Sequence, residues 1–177
     1  MSSDNNNTPW LSPSDALNRF QIPAGMIIDL PTPARTRARY GFRIGDIGLL
    51  IDADTVSEVM EPLPTQPLPH TADWLLGLCN LRGNLVPIYD LERLFGLQIR
   101  DPHNRMLLLI DEGEKAVGIL IDGLPSVPDL SHRLNRIPPI PTMLTNHVGD
   151  AYFKDQQIWL EFNHDSFFRA LADQVTG

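Results

Sequence analysis

Apolar and polar residues alternate along this chain in short runs, broken every few positions by glycine, proline or paired polar residues. Tyr40-Gly-Phe-Arg-Ile-Gly alternates, Asp46 lies between Gly45 and Gly48, and residues 47–51 resume the apolar pattern. That sequence predicts a β-hairpin. Thr55-Val-Ser-Glu-Val-Met predicts a further short strand. It runs into residues 61–69, where Pro62, Pro64, Pro67 and Pro69 forbid helix and favour an extended connection. A helical turn is expected through Trp74-Leu-Leu, capped by Thr71 or Asp73 and ended by Gly77. Residues 78–81 and 85–89 read as strands on either side of Arg82-Gly83-Asn84, and Asp90 is placed to cap a short helix that Gly96 ends.

A second set of strands is predicted at residues 105–110 and 115–121, joined by Asp111-Glu-Gly-Glu as a hairpin turn. A long irregular stretch with the Pro138-Pro139-Ile140-Pro141 cluster follows. Strands near 151–153 and 157–162 then lead to a terminal helix over 165–175, where Phe167, Phe168 and Leu171 recur at helical spacing. Many short strands with frequent turns point to barrel or sandwich packing with helices at the seams. Residues 1–36 differ in texture, being rich in Ser, Asn, Pro and Thr with brief apolar islands such as 26–28. They are expected to form an extended or disordered N-terminal arm ahead of a domain spanning 37–175.

Composition narrows the function more than the fold. A chain of 177 residues suits one domain or two small lobes, and its 16 prolines argue against long helical bundles. The net charge of -8 repels phosphate backbones, so duplex nucleic acid is an unsuitable partner, and Arg35, Arg37, Arg39 and Arg43 read as a solvated strand edge or linker. The single cysteine, Cys79, supplies neither an intrachain disulfide nor a cysteine-rich zinc site, and sits in an apolar run that suits an inert buried thiol. No apolar stretch approaches the ~18 residues of a membrane span, and a reducing, cytoplasmic setting is expected.

The chemistry of enzymes finds little foothold. His70, His103, His132, His147 and His164 are dispersed, and phosphate-cradling glycine loops and the G-x-S-x-G elbow are missing from the sequence. Asp52-Ala-Asp54 resembles the opening of a calcium loop but lacks its glycine and its bidentate glutamate. Residues 106–112 resemble the opening of a phospho-receiver domain, yet the chain turns at Gly113 into another strand. No catalytic residue, metal ligand or cofactor is assigned, and an interaction module is the expected class. Within residues 55–91, a small barrel would bring Glu58 and Arg82 onto neighbouring strands. A partly buried arginine needs a carboxylate, so the two are expected to pair within about 4 Å.

The same block carries a resemblance. Val56-Ser-Glu-Val, the proline-rich connection, Trp74-Leu-Leu-Gly-Leu-Cys-Asn-Leu-Arg-Gly and Val86-Pro-Ile-Tyr-Asp-Leu strongly resemble the CheW-like family of chemotaxis coupling proteins, with an echo at Val117-Gly-Ile-Leu-Ile-Asp-Gly-Leu. The resemblance covers roughly residues 38–172 and implies a mainly β fold of two small five-stranded, SH3-like β-barrel lobes with short helices and a C-terminal helix. It implies a non-catalytic adaptor between the cytoplasmic tips of methyl-accepting chemoreceptors and the regulatory domain of a CheA-type histidine kinase. By position, Val56, Glu58 and Val59 match the family strand near the receptor-facing groove. Asn80, Leu81, Arg82 and Gly83 match its N-L-R-G segment, and Gly77 the glycine before it. Pro62–Thr65 falls where contacts to the kinase are expected. The arm and Tyr40-Gly-Phe-Arg-Ile-Gly look more like the type IV pilus (PilI-like) branch, whereas residues 148–153 match the family pattern poorly. From another class, a ligand-binding or enzymatic β-barrel would instead place a deep pocket between the lobes.

Overall fold

The computed structural model describes residues 38–98 and 102–176, so the expected arm over 1–36 lies outside the described residues. Strands β1 (Arg39–Ile44) and β2 (Ile47–Asp52) form the hairpin that the alternation predicts. The chain then builds a second sheet from β3 (Ser57–Met60), β4 (Leu75–Leu81), β5 (Asn84–Tyr89), β6 (Arg105–Ile110) and β7 (Val117–Asp122). It returns to the first sheet with β8 (Val148–Lys154) and β9 (Gln157–Phe162). Helix α1 (Leu91–Phe95) follows β5, and helix α2 (His164–Thr176) closes the described chain. The strand orders are β1-β2-β9-β8 and β3-β6-β7-β5-β4, with β2–β9 and β5–β7 as the parallel pairs. The mainly β, two-lobed architecture is present. One sheet has five strands, and the other has four among the described residues.

Two apolar clusters explain the pattern. The larger takes Phe42, Ile44, Leu49 and Ile51 from the first sheet and Leu108, Ile110, Ile119 and Ile121 from the second, with Phe167, Phe168 and Leu171 of α2. The smaller gathers Cys79, Val86, Ile88, Leu107 and Leu109 on the opposite face of the five-stranded sheet. Strand β6 therefore alternates between two cores. That is why Met106-Leu-Leu-Leu-Ile is continuously apolar: a strand covered on both faces has no water-facing register.

The expected helical turn at Trp74-Leu-Leu is instead the start of β4. Leu75, Gly77 and Cys79 are buried while Leu76 and Leu78 are partly exposed, a period of two rather than 3.6. Gly77 does not end a helix. Its φ of 130° lets the chain pass against the Gln66 backbone, and a Cβ there would collide with the Gln66 carbonyl. The proline-rich connection is held at the same point, by Gln66 N–H to Leu78 O at 2.8 Å and Leu78 N–H to Gln66 O at 3.0 Å. The predicted short helix does form: Asp90 caps α1 by accepting from Arg93 N–H, and Gly96 takes a left-handed φ of 67° at its end.

The sheets are tied by a buried charged node. Arg105 on β6 donates to Asp90 Oδ2 at 2.8 Å and Asp90 Oδ1 at 2.9 Å, and lies 3.0 Å from Glu92 Oε2. Asp90 and Glu92 are almost wholly buried. Arg105 pairs in register with Asp122, whose Oδ2 accepts the Gly45 N–H of the β1–β2 turn at 2.6 Å. The node thus runs from α1 through β6 and β7 into the other sheet. Burial alone would raise the Asp90 carboxyl, but the hydrogen bonds and charge of Arg105, with Arg93, hold it below its ordinary 3.8. Burial dominates at Glu92 and pushes it up from 4.5, against the pull of Arg105 and with the help of Asp122 and Asp90.

A lowered Asp90 contributes stability above pH 3.8 that is lost as pH falls through its folded value; a raised Glu92 works the other way, disfavouring the fold as pH climbs past 4.5. Asp90→Asn takes away the forked partner of Arg105 and leaves only the off-centre Glu92 carboxylate, and is expected to cost about 3–5 kcal/mol at neutral pH. The cost should shrink in acid below pH 3.8. Glu92→Gln leaves Arg105 balanced by Asp90 and is expected to keep or raise the neutral-pH Tm. Urea titrations of both variants across pH measure these effects.

Candidate functional site

The segment Asn80-Leu-Arg-Gly is a turn built for one purpose. Leu81 pairs with Asn84, so Arg82 and Gly83 form a two-residue hairpin loop, and both carry positive φ, 52° and 89°. Two-residue loops of this hand match the twist of the flanking strands. A non-glycine residue in that region costs about 1–2 kcal/mol, so something must hold Arg82 there. Asn80 does so from below, its Oδ1 accepting the Gly83 N–H at 3.1 Å. From above, Arg82 Nη2 donates to both carboxylate oxygens of Glu58, at 3.0 and 2.9 Å.

The expected Glu58–Arg82 pair is therefore present, though not in the expected setting. The two residues are not on neighbouring strands. β3 and β4 are the opposite edges of the five-stranded sheet, and the ion pair spans them where the sheet curls round on itself. Nor is the arginine partly buried: the Arg82 side chain is 71% exposed and that of Glu58 45%.

Inside the curl lies a cavity of about 290 Å³. Val56, Glu58, Leu81 and Arg82 line it, so four of the eight sequence-predicted residues converge there. Asn80 and Gly83 shape its rim through the turn. Val59 does not reach it. Strand alternation sends Val56 and Glu58 toward the cavity, while Val59 faces a second groove of about 370 Å³. That groove is apolar and lies between the sheets, with Tyr40, Phe42 and Ile51 on one wall and Leu108 on the other. Ser57 touches both spaces, which makes β3 the partition between them. Gly77 belongs to neither and serves the β4 crossing.

The sequence reading missed the far wall of the cavity. Asp111, Glu112 and Gly113, at the start of the β6–β7 connection, line it together with Asn84, Val86, Leu109 and Ala116. The signal was present in the acid pair after β6, which the strand pattern assigned to a plain turn. Asp111 has a φ of 64°, and its N–H donates to Val56 O at 2.9 Å, so the turn is fastened to the start of β3. Its Oδ2 lies 3.3 Å from His164 Nε2 at the head of α2.

Residues 40–168 match the family model described as the CheW-like domain, a span that takes in both sheets, the curled edge pair and most of the core. The chain belongs to the CheW-like family. Among its relatives are a probable chemotaxis protein CheW of Rhizobium etli, 31% identical over 106 residues (59% of this chain, 67% of the relative). Protein PilI of Pseudomonas aeruginosa is 29% identical over 128 residues, 70% of each chain. The crystal structure of the scaffolding protein TtCheW from Thermoanaerobacter tengcongensis shares the CheW-like fold, with a TM-score of 0.58 at 19% identity over 75% of this chain and 92% of that one.

An ion pair this exposed holds little of the fold together. A double-mutant cycle with Glu58→Ala and Arg82→Ala is expected to give a coupling of about 0.2–1 kcal/mol in urea unfolding, fading at high salt. Asn80→Ala should cost more, about 1 kcal/mol on its own, because it removes the acceptor that fixes the strained turn.

Proposed function

We propose that this chain is a non-catalytic signal-transduction adaptor coupling methyl-accepting chemoreceptors to a CheA-type histidine kinase, in a chemotaxis or twitching-motility array. The observation that carries this reading is the Glu58–Arg82 pair. Two motif residues 24 positions apart meet at 2.9–3.0 Å on an exposed rim, where the fold gains little from them. Exposed, pre-oriented charge beside an apolar groove is what a protein partner recognises. A ligand-binding or catalytic barrel calls for a deep, enclosed pocket, whereas the Glu58–Arg82 rim is open and both side chains reach solvent.

In this reading the receptor tip lies along β3. Val59 and the inter-sheet groove take its apolar anchors, and Glu58 and Arg82 set its register. The kinase regulatory domain binds elsewhere on the same body, with residues 62–65 as its first contact. The adaptor works in the cytoplasm, where receptor tips and kinase meet, and needs no cofactor. No helix among the described residues is long and apolar enough to cross a membrane. The likeness to PilI supports service in a pilus-linked array. Signal passes if a receptor state changes the free energy of the kinase contact, which requires two interfaces on one rigid unit and no chemistry.

Surface-immobilised receptor tip and kinase regulatory domain test the proposal separately. The wild-type chain is expected to bind both. Arg82→Ala should weaken receptor binding about tenfold, equal to about 1.4 kcal/mol, while Tm moves by no more than about 2–4 °C. Binding to neither partner would reject the coupling reading. An Arg82→Ala chain that aggregates would make Arg82 a structural residue.

A further inference from the structure

The cavity inside the curled sheet has a charge pattern that the receptor-facing reading does not use. Glu58, Asp111 and Glu112 line it against one cation, Arg82. Arg82 is already committed to both oxygens of Glu58. Asp111 leans on His164, 3.3 Å away. Glu112 is exposed and makes no ion pair among the described residues. Beneath this rim the floor is apolar, formed by Val86 and Leu109, both buried, with Leu81 and Ala116.

We propose that this cavity receives one long basic side chain, a lysine or arginine of the chemoreceptor tip, with Glu112 as its counter-charge. The inference rests on the coupling reading and names what that partner inserts. A lysine or arginine has an apolar stem and a charged head, which matches an apolar floor under an acidic rim. The head would meet Glu112 and the free face of Asp111, forming charge-assisted hydrogen bonds. An acidic group would face three carboxylates against a single guanidinium whose Nη2 is already paired with Glu58. A purely apolar side chain would desolvate Glu112 with nothing in return. A metal ion fits less well. The group of potential ligand atoms within 4.8 Å among the described residues is Asp111, His164 and Asp165, and Glu58 and Glu112 stand outside it.

The design also separates two tasks on one strand. The inter-sheet groove beside Val59 supplies apolar area, which sets affinity. The cavity beside Glu58 reads one charge, which sets register and partner choice. Because the Asp111 N–H is bonded to Val56 O, the acidic turn moves with β3 and keeps both spaces in step.

The test measures binding of a receptor-tip fragment to the wild-type chain, Glu112→Gln and Glu112→Lys at low and high salt. Expected losses are a few-fold for Glu112→Gln and about tenfold or more for Glu112→Lys, mainly in the association rate, and smaller at high salt. Tm should be unchanged, since Glu112 is exposed. A panel of tip variants, each with one Lys or Arg changed to Glu, should contain one that binds Glu112→Lys better than it binds wild type. Unaltered binding by Glu112→Lys overturns the proposal and leaves the coupling reading standing. Tighter binding overturns it too, in favour of an acidic guest, as does a loss that no tip variant rescues. If the wild-type chain fails to bind the tip at all, the coupling reading fails and this assignment falls with it.

Discussion

Arg105 is the constraint around which the two sheets are organised. It rises from β6 between two buried carboxylates, Asp90 and Glu92, and stands in register with Asp122, which reaches the β1–β2 turn of the other sheet. Apolar packing between sheets is tolerant of sliding, since a cluster of leucines and isoleucines fits in more than one way. A guanidinium with a forked acceptor does not have that freedom. A buried arrangement of this kind contributes little to net stability, because desolvation offsets much of the attraction. Its value here is positional: one arrangement pairs both Nη groups of Arg105 with Asp90 and supplies the acceptor for the Gly45 N–H. The raised Glu92, pushed up chiefly by burial and further by the nearby Asp122 and Asp90, marks where that arrangement is held at a cost.

With the sheets so fixed, β3 becomes a partition. Its alternate side chains face two different spaces, and its position at a sheet edge brings it opposite β4 when the sheet curls. Neither the Glu58–Arg82 pair nor the acidic turn at 111–113 is needed to fill the core. These residues are left for contact at the surface, while the node and the two clusters keep the frame. This division between a rigid interior and an adjustable rim is what an adaptor with two interfaces requires.

Much of this was legible in the sequence, for reasons that differ by element. The β1–β2 hairpin, the cap at Asp90 and the terminal helix rest on local signals, namely alternation, a capping carboxylate with a terminal glycine, and apolar spacing at 167, 168 and 171. Tertiary packing confirmed them rather than competing with them. The stretch from Trp74 misled because a tryptophan and two leucines before a glycine look like a helix end. The deciding contact, Gly77 against Gln66, comes from the proline-rich connection and is invisible locally. The Glu58–Arg82 contact was legible from charge and motif. Its route was not, because curling of a sheet so that its edges meet depends on all five strands at once. Asp111 and Glu112 were passed over for the same reason: a turn acquires meaning from what it faces.

The central claim is that this chain joins receptor state to kinase activity through one rigid body. The most direct measurement is kinase autophosphorylation in a reconstituted mixture of receptor, CheA-type kinase and this chain, with and without the receptor's stimulus. The expected result is a kinase rate that responds to the stimulus only when the chain is present. A rate that responds equally without the chain, or ignores the stimulus with it, would contradict the account.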